Sequence, residues 1–201
     1  SAAVRRLCAD VRTTVIIHCA ALTDLEYCET HPQEAYTVNT WGTHIVLEEA
    51  RRRNIPLMYI SSAGIFDGLK EVYVEEDTPN PLNVYGRSKY LGELVAASYP
   101  QSIIVRAGWM RGGGPAKDKK FVYKIIRQIQ DGARQIAVVN DKLGTPCYTY
   151  DLVRVMHYLL DHAAYGLYHG VCGGGADRAT VARAIIAGLG HESSVAVRVV
   201  G

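Results

Sequence analysis

Three short apolar runs constrain the fold of this chain more than any other feature. They are Val15–Ala21, Pro56–Ile60 and Ser102–Arg106, and their apolar residues are continuous rather than alternating. Such runs are typical of strands that are covered on both faces in a parallel sheet. Helical patterns separate them, from His31 to about Arg53 and from Val84 to Pro100. This alternation predicts an α/β fold, with a Rossmann-like parallel sheet and helices on both of its faces.

The pattern changes beyond residue 110. A glycine-rich loop at Arg111–Pro115 precedes a helix from Phe121 to Ile129, and a short strand follows from Ile136 to Val139. Shorter mixed elements complete the chain. We therefore predict one domain in residues 1–110 and a small C-terminal lobe in residues 111–201 that is interleaved with the last sheet elements.

Charge and composition exclude several classes of protein. The formal net charge is +2 and the Lys and Arg residues are spread along the chain, so no nucleic-acid partner is predicted. No apolar run is long enough to cross a membrane, and no signal-peptide pattern is present. The five cysteines lack Cys-x-x-Cys spacing, which indicates a reducing cytoplasm. The histidines lack zinc-ligand spacing, so no metal site is predicted.

Tyr85 and Lys89 have the spacing that most strongly suggests chemistry. They are four residues apart in a helical pattern that begins after Asn83, so their side chains share one helix face. A nearby ammonium favours the phenolate, and we therefore predict that Lys89 lowers the pKa of Tyr85 toward the range of an acid–base catalyst. A tyrosine packed in the core and a solvated lysine are the alternative interpretation.

Small and polar residues follow the three predicted strands. Ala20–Ala21, Ser61–Ser62 and Ala107–Trp109 all lie at the carboxyl end of a strand. Ligands of parallel α/β sheets bind in the crevice at this edge. We therefore expect the three strand ends to converge on one ligand site.

Several motifs that span nearly the whole chain occur in a characteristic order. They are His18-Cys19-Ala20-Ala21, Asn39-Thr40-Trp41-Gly42-Thr43, Ser61–Gly68, Pro79–Lys89, Arg106–Trp109 and Asp141–Pro146. In this order they resemble the extended short-chain dehydrogenase/reductase family, and most closely its dTDP-4-dehydrorhamnose reductase branch. The resemblance implies an NAD(P)-binding domain in residues 1–110 and a substrate-binding lobe in residues 111–201.

The resemblance also implies a catalytic role for four residues. Tyr85 would be the general acid that protonates a carbonyl oxygen as hydride arrives from NADPH or NADH. Lys89 would lower the pKa of Tyr85 and bind the nicotinamide ribose. Ser62 would donate a hydrogen bond to the developing alkoxide. Asn39 would hold a water behind Lys89.

Further residues are implied in binding. The cofactor-binding residues would be Ala20, Ala21, Asn39, Ser61, Tyr85, Lys89 and Gly108. The substrate-binding residues would be Ser62, Tyr85 and Trp109. For the small residues and for Trp109, ordinary packing is the alternative interpretation.

Three departures from the family pattern qualify the resemblance. The branch has Asp-Tyr where this chain has Ala63-Gly64, and Thr where it has Cys147. The glycine-rich segment that holds the cofactor pyrophosphate at a helix N-terminus is absent from the chain. We therefore expect the sequence to be a piece that begins within the dinucleotide-binding half, so that the Rossmann-like sheet is incomplete at its N-terminus.

The main functional hypothesis is a cytoplasmic enzyme that reduces a nucleotide-activated 4-keto-6-deoxysugar with NADPH or NADH. A nucleotide sugar would be its small-molecule partner, and a homodimer is compatible with the sequence. One alternative is a non-catalytic regulatory or binding protein on the same fold. Another is a sugar-nucleotide epimerase or dehydratase of the same superfamily, although Ala63-Gly64 lacks the acidic pair that dehydratases usually carry.

Overall fold

The computed structural model describes residues 2–114, 116–118 and 120–201. Pro115, which closes the predicted glycine-rich loop, lies outside the described residues. The chain divides into two compact units. The first unit comprises Ser1–Ala107 and Arg154–Gly170, and the second comprises Gly108–Val153 and Val171–Gly201.

The described strands and helices follow one another along the chain. The strands are β1 (Ile16–His18), β2 (Leu57–Ser62), β3 (Ser102–Ala107), β4 (Trp109–Arg111), β5 (Gln135–Val138), β6 (Leu143–Gly144), β7 (Pro146–Tyr148), β8 (Gly166–Gly170), β9 (Ala176–Asp177) and β10 (Ala196–Val199). The helices are α1 (Ala2–Asp10), α2 (Leu25–Thr30), α3 (Pro32–Tyr36), α4 (Gly42–Arg53), α5 (Val84–Ala97), α6 (Phe121–Gln130), α7 (Thr149–Asp161) and α8 (Arg178–Gly188). A π-helical turn spans Thr37–Trp41 and a 3₁₀ turn spans Ala63–Ile65.

The first unit contains a parallel sheet in the order β1-β2-β3-β8. Leu57 pairs with Ile16 on one side and with Ser102 on the other, and Ile103 pairs with Gly166. The three predicted apolar runs are thus neighbouring parallel strands. The predicted parallel α/β architecture is confirmed.

The core of the first unit lies between the sheet and the helices α4 and α5. Leu47, Leu57, Tyr59 and Ala96 are buried there in one cluster. Burial of aliphatic and aromatic side chains stabilises the fold by roughly 1.5–3 kcal/mol for each large residue. β2 and β3 carry continuous apolar runs because they are largely buried. In β1, for which the sequence predicted the same burial, Ile17 is 43% exposed.

The predicted helix from His31 to Arg53 is divided into α3, a π-helical turn and α4. Asn39 lies in the π-helical turn and is almost completely buried. Helical propensity does not report such a widened turn, which is held by tertiary contacts. Turns of this kind are frequent at functional sites.

Gly92 allows α5 to pack closely on the π-helical turn. A Cβ at position 92 would lie 2.5 Å from the Asn39 carbonyl oxygen and 2.5 Å from Tyr59 Oη. Both distances are shorter than any normal contact of a methyl group. A glycine is therefore required for this helix to approach the sheet.

Among its described residues, the second unit contains three strand pairs. The pairs β4–β7 and β5–β10 are parallel, and β6–β9 is antiparallel. Its buried cluster joins α6 and α8 through Ile125, Ile129, Ala182 and Ile186, with Ile136 from β5.

The sequence predicted a domain boundary at residue 110, and this assignment of domains stays a prediction. The division follows Ala107, and Arg154–Gly170 returns to the first unit, where it supplies β8. None of the helices within the described ranges is both long and apolar enough to cross a membrane.

Candidate active site

Ser62 ends β2 and begins the 3₁₀ turn that follows it. Its Oγ accepts a hydrogen bond of 3.1 Å from the Gly64 amide, which caps the turn. Serine is a preferred capping residue because its side chain satisfies an otherwise unpaired N–H group. The cap holds the Ser62 hydroxyl at the carboxyl end of the sheet, where ligands of such folds bind.

Tyr85 lies in the first turn of α5, which Asn83 caps. Asn83 Oδ1 accepts a hydrogen bond of 2.7 Å from the Gly86 amide, and Glu29 accepts one of 2.7 Å from the Val84 amide. A Cβ at Gly64 would lie 3.3 Å from Ser62 Oγ and 3.4 Å from Tyr85 Cε1. Position 64 therefore lies next to both the Ser62 and the Tyr85 side chains.

The pKa of Tyr85 is raised, and the main cause is burial. A hydrogen bond with Ser62 acts in the opposite direction but is the smaller effect. The sequence predicted that Lys89 lowers this pKa, and that direction is wrong. The prediction counted the nearby cation and did not count the loss of water around the phenol.

Lys89 is buried one turn further along α5. Its Nζ donates a hydrogen bond of 2.7 Å to the Ile60 carbonyl and lies 4.2 Å from the centroid of the Tyr59 ring. Burial lowers the pKa of Lys89 to about 8, and the nearby Cys19 and Glu93 partly oppose the shift. An ammonium carries three donors, so a ligand hydroxyl could be bound by the remaining N–H groups.

Asn39 links the segment after β1 to α5. Its Oδ1 accepts a hydrogen bond of 2.7 Å from the Leu22 amide, and its Nδ2 donates to the Leu22 carbonyl and to Ser88 Oγ, at 3.0 and 2.9 Å. The Asn39 carbonyl accepts a hydrogen bond of 2.7 Å from Thr43. These bonds give Asn39 a clear positioning role, while its predicted contact with a catalytic water stays a prediction.

His18, Ala20 and Ala21 follow one another at the end of β1. His18 is buried, and its Nε2 lies 3.2 Å from Thr43 Oγ1. Burial, with the positive charge of Lys89, lowers the pKa of His18 to about 4, so the ring is neutral at pH 7. Ala20 is exposed and Ala21 is half-buried, which leaves their predicted cofactor contact sterically open.

Ser61 differs from its neighbour Ser62 because its side chain faces the protein interior. Its Oγ donates a hydrogen bond of 2.6 Å to Glu93 on α5, and the residue is 3% exposed. Only the main chain of Ser61 is therefore available for the predicted cofactor contact. Alternation along a strand places successive side chains on opposite faces.

Glu93 and Arg106 form a buried ion pair that the sequence analysis missed. Arg106 Nη2 and Glu93 Oε1 are 2.7 Å apart, and both side chains are almost completely buried. Arg106 also donates to the Glu75 carbonyl at 3.2 Å, and Glu75 accepts a bond of 2.7 Å from the His169 amide. The signal was an arginine in an otherwise apolar strand, which requires a buried partner.

The residues Tyr85, Lys89 and Glu93 share one face of α5 at four-residue steps. Tyr85 contacts Ser62, Lys89 binds the main chain of β2, and Glu93 binds Ser61 and Arg106. The same helix face thus carries the candidate catalytic pair and the ion pair that ties α5 to the sheet.

Gly108 and Trp109 lie in the second unit, where they begin a separate set of contacts. The Trp109 amide donates a hydrogen bond of 2.8 Å to the Thr145 carbonyl. A Cβ at Gly108 would lie 2.6 Å from the same carbonyl, so glycine is required there. The predicted contacts of Gly108 with cofactor and of Trp109 with substrate stay predictions.

Metal binding finds no support in the described part of the chain. No group of three or more His, Cys, Asp or Glu side chains is arranged there to hold a metal ion. The buried charges found near β2 are instead paired with one another or with main-chain groups.

A parallel α/β unit with adjacent Ser, Tyr and Lys side chains at a strand end defines a class of nucleotide-binding folds that includes many oxidoreductases. Comparison with family models narrows the class further. Residues 1–200 match the RmlD substrate binding domain family, and the chain belongs to this family.

Three relatives illustrate the similarity. The dTDP-4-dehydrorhamnose reductase of Mycolicibacterium smegmatis is 34% identical over 194 residues, which are 94% of this chain and 58% of the relative. A crystal structure of the dTDP-4-dehydrorhamnose reductase from Bacillus anthracis in complex with NADP is 31% identical, with a TM-score of 0.92 over 100% of this chain and 70% of that chain. The methionine adenosyltransferase 2 subunit beta of Danio rerio is 31% identical over 173 residues, covering 83% of this chain and 53% of the relative.

The chain spans less than two thirds of the length of these curated relatives, 58% of the first and 53% of the last.

Proposed function

We propose that the protein carrying this chain is an NAD(P)H-dependent oxidoreductase that reduces a nucleotide-activated 4-keto-6-deoxysugar. The observation that carries the proposal is the contact of Ser62 with Tyr85 beside the buried Lys89, at the carboxyl end of β2. The relatives named dTDP-4-dehydrorhamnose reductase support the choice of substrate class.

The residues of this chain fit the nicotinamide end of such a cofactor. Lys89 offers N–H donors beyond its bond to Ile60, and Ala20 leaves the end of β1 uncovered. When bound, NADPH or NADH supplies the hydride that reduces the carbonyl carbon. The glycine-rich segment that holds the pyrophosphate in the family is not found within these 201 residues.

Tyr85 would donate its proton to the carbonyl oxygen of the sugar. The raised pKa of Tyr85 keeps the phenol protonated at pH 7, which is the form required for reduction. The Ser62 hydroxyl would donate a hydrogen bond to the same oxygen as its negative charge develops. Lys89 would bind a ribose hydroxyl, and its charge would then stabilise the phenolate that remains on Tyr85.

The test is the consumption of NADPH by the full-length protein with a dTDP-4-keto-6-deoxysugar. Tyr85→Phe removes only the proton donor, and we expect kcat to fall roughly 10²–10⁴-fold. Tyr90→Phe on the same helix is the matched control and should retain activity. The proposal would be contradicted if none of these sugars supported NADPH oxidation by the wild-type protein. A fully active Tyr85→Phe variant would also contradict it.

A second candidate is a non-catalytic regulatory subunit. The similarity to a subunit of methionine adenosyltransferase favours it. In that case the full-length protein would bind NADPH without turning over any sugar nucleotide, and Tyr85→Phe would change nothing measurable. Turnover by the wild-type protein would eliminate this candidate.

The location and assembly of the protein belong to the same proposal. A cytoplasmic location is supported by five cysteines that lack Cys-x-x-Cys spacing. The homodimer stays a prediction, and light scattering on the full-length protein would check it.

A further inference from the structure

Arg178, the first residue of α8, lies over two aromatic rings in the second unit. Its Cζ is 4.1 Å from the centroid of the Trp109 ring and 4.5 Å from that of Phe121. A guanidinium is planar and stacks well on aromatic faces, while its five N–H donors point outward in its own plane. The rings therefore hold the group without using its hydrogen-bond donors.

The positive charge of Arg178 is not balanced within the described part of the chain. No carboxylate there lies within ion-pair distance of it, and no hydrogen bond to its guanidinium is found among those residues. Arg178 is half-buried, and burial lowers its pKa. A partly desolvated cation costs free energy unless an anion approaches it.

Trp109 is itself held firmly in place. A Cβ at Gly144 would lie 2.2 Å from Trp109 Cε2, so the glycine backbone packs directly against the indole. Gly144 is paired with Ala176 between β6 and β9, two residues before Arg178. The strand pair and the indole thus fix the position of the guanidinium before any ligand binds, which reduces the entropic cost of binding.

We propose that Arg178 binds a phosphate oxyanion, and that its ligand is a nucleoside diphosphate such as dTDP. A guanidinium matches two phosphate oxygens through parallel N–H donors, which an ammonium cannot do. The role in oxyanion binding rests on the stacked and unbalanced cation. The choice of a nucleotide diphosphate rests in addition on the proposed function.

The experiment measures the affinity of the full-length protein for dTDP, thymidine and inorganic pyrophosphate by calorimetry. Arg178→Gln removes the charge and the planar donors, and Arg178→Lys retains only the charge. Arg183→Gln is the matched control, because Arg183 lies on the same helix and is exposed. Thermal melting of each variant shows whether the fold is retained.

We expect Arg178→Gln to weaken dTDP and pyrophosphate binding by about ten- to hundredfold while thymidine binding is unchanged. Arg178→Lys should lie between wild type and Arg178→Gln, and Arg183→Gln should match wild type. Equal losses for dTDP and thymidine would overturn the inference, as would unchanged dTDP binding or a wild-type protein that binds neither dTDP nor pyrophosphate.

Two further comparisons distinguish dTDP from NADPH as the source of the phosphate, and distinguish failure of this inference from failure of the proposed function. Weaker NADPH binding with unchanged dTDP binding would overturn the assignment to a nucleoside diphosphate. A loss of dTDP affinity in Arg178→Gln, in a protein that reduces no dTDP-sugar, would uphold the inference while the reductase proposal fails. Normal dTDP binding by Arg178→Gln, in a protein that does reduce a dTDP-sugar, would overturn the inference while the reductase proposal stands.

Discussion

Arg106 in the first unit and Arg178 in the second are two arginines removed from bulk water by different means. Arg106 is 3% exposed and its charge is matched by Glu93 at 2.7 Å. Arg178 is half-buried between the rings of Trp109 and Phe121, at 4.1 and 4.5 Å. The protein supplies the charge partner of Arg106, whereas the N–H donors of Arg178 have no acceptor among the described residues.

The difference separates a structural cation from a cation that is available to a ligand. A buried pair already has its partner, so removing either member leaves an uncompensated charge. Removing a guanidinium that is held only by aromatic rings should change the stability of the ligand-free protein little. The contrast can be tested by measuring stability and ligand affinity for matched variants of each arginine.

The largest expected effect is on the buried pair. Arg106→Met leaves Glu93 buried without its partner, and we expect the free energy of unfolding to fall by about 3–5 kcal/mol. Urea denaturation would measure it. The exposed pair of Arg127 with Asp131, 3.4 Å apart, provides the control, and Asp131→Asn should cost less than about 1 kcal/mol. Similar losses in the two variants would remove the distinction between paired and solvated charge.

A smaller effect concerns His18, which is buried as a neutral group. Its pKa is about 4 in the folded protein against an ordinary value of 6.5, so the unfolded chain binds more protons between these values. The contribution of His18 to the free energy of unfolding is therefore fully present above pH 6.5. It is lost as the pH falls toward 4, and the loss reaches about 3 kcal/mol.

The measurement for His18 is the free energy of unfolding at several pH values between 4 and 7. His18→Gln keeps a hydrogen-bonding side chain without a titrating ring, and its stability should depend less steeply on pH than that of wild type. Parallel curves for the two proteins would show that His18 does not titrate as described, since all other groups are common to both.

The smallest expected effect is on Arg178. Stacking on aromatic rings contributes roughly 0.5–2 kcal/mol, and the loss of a partly desolvated charge offsets part of this. We expect Arg178→Met to lower the free energy of unfolding by about 1 kcal/mol or less in the absence of ligand. A loss as large as that of Arg106→Met would mean that Arg178 is a structural cation.

Much of the first unit was predictable from the sequence because the relevant signals are local. Continuous apolar runs at Pro56–Ile60 and Ser102–Arg106 indicate buried parallel strands, and both are strands of the observed sheet. The four-residue step from Tyr85 to Lys89 also places both side chains on one helix face, as observed. Periodicity and spacing require no knowledge of distant contacts.

The direction of the Tyr85 pKa shift could not be predicted in this way. Spacing on a helix reports which groups are near but not how much water surrounds them. Burial raises the pKa of Tyr85, and Lys89 donates a hydrogen bond to the Ile60 carbonyl instead. Likewise, the sequence could not distinguish Ser61, which faces Glu93, from Ser62, which faces Tyr85.

The sequence by itself determined the parallel α/β class, the helix face shared by Tyr85 and Lys89, and the serine at the end of the second strand. These follow from repeating apolar patterns and short spacings. Tertiary structure alone decided that Glu93 meets Arg106 and that Arg178 lies over Trp109 and Phe121. Those partners are distant in the chain, and only the packing of the folded protein determines which charge is balanced and which is left for a ligand.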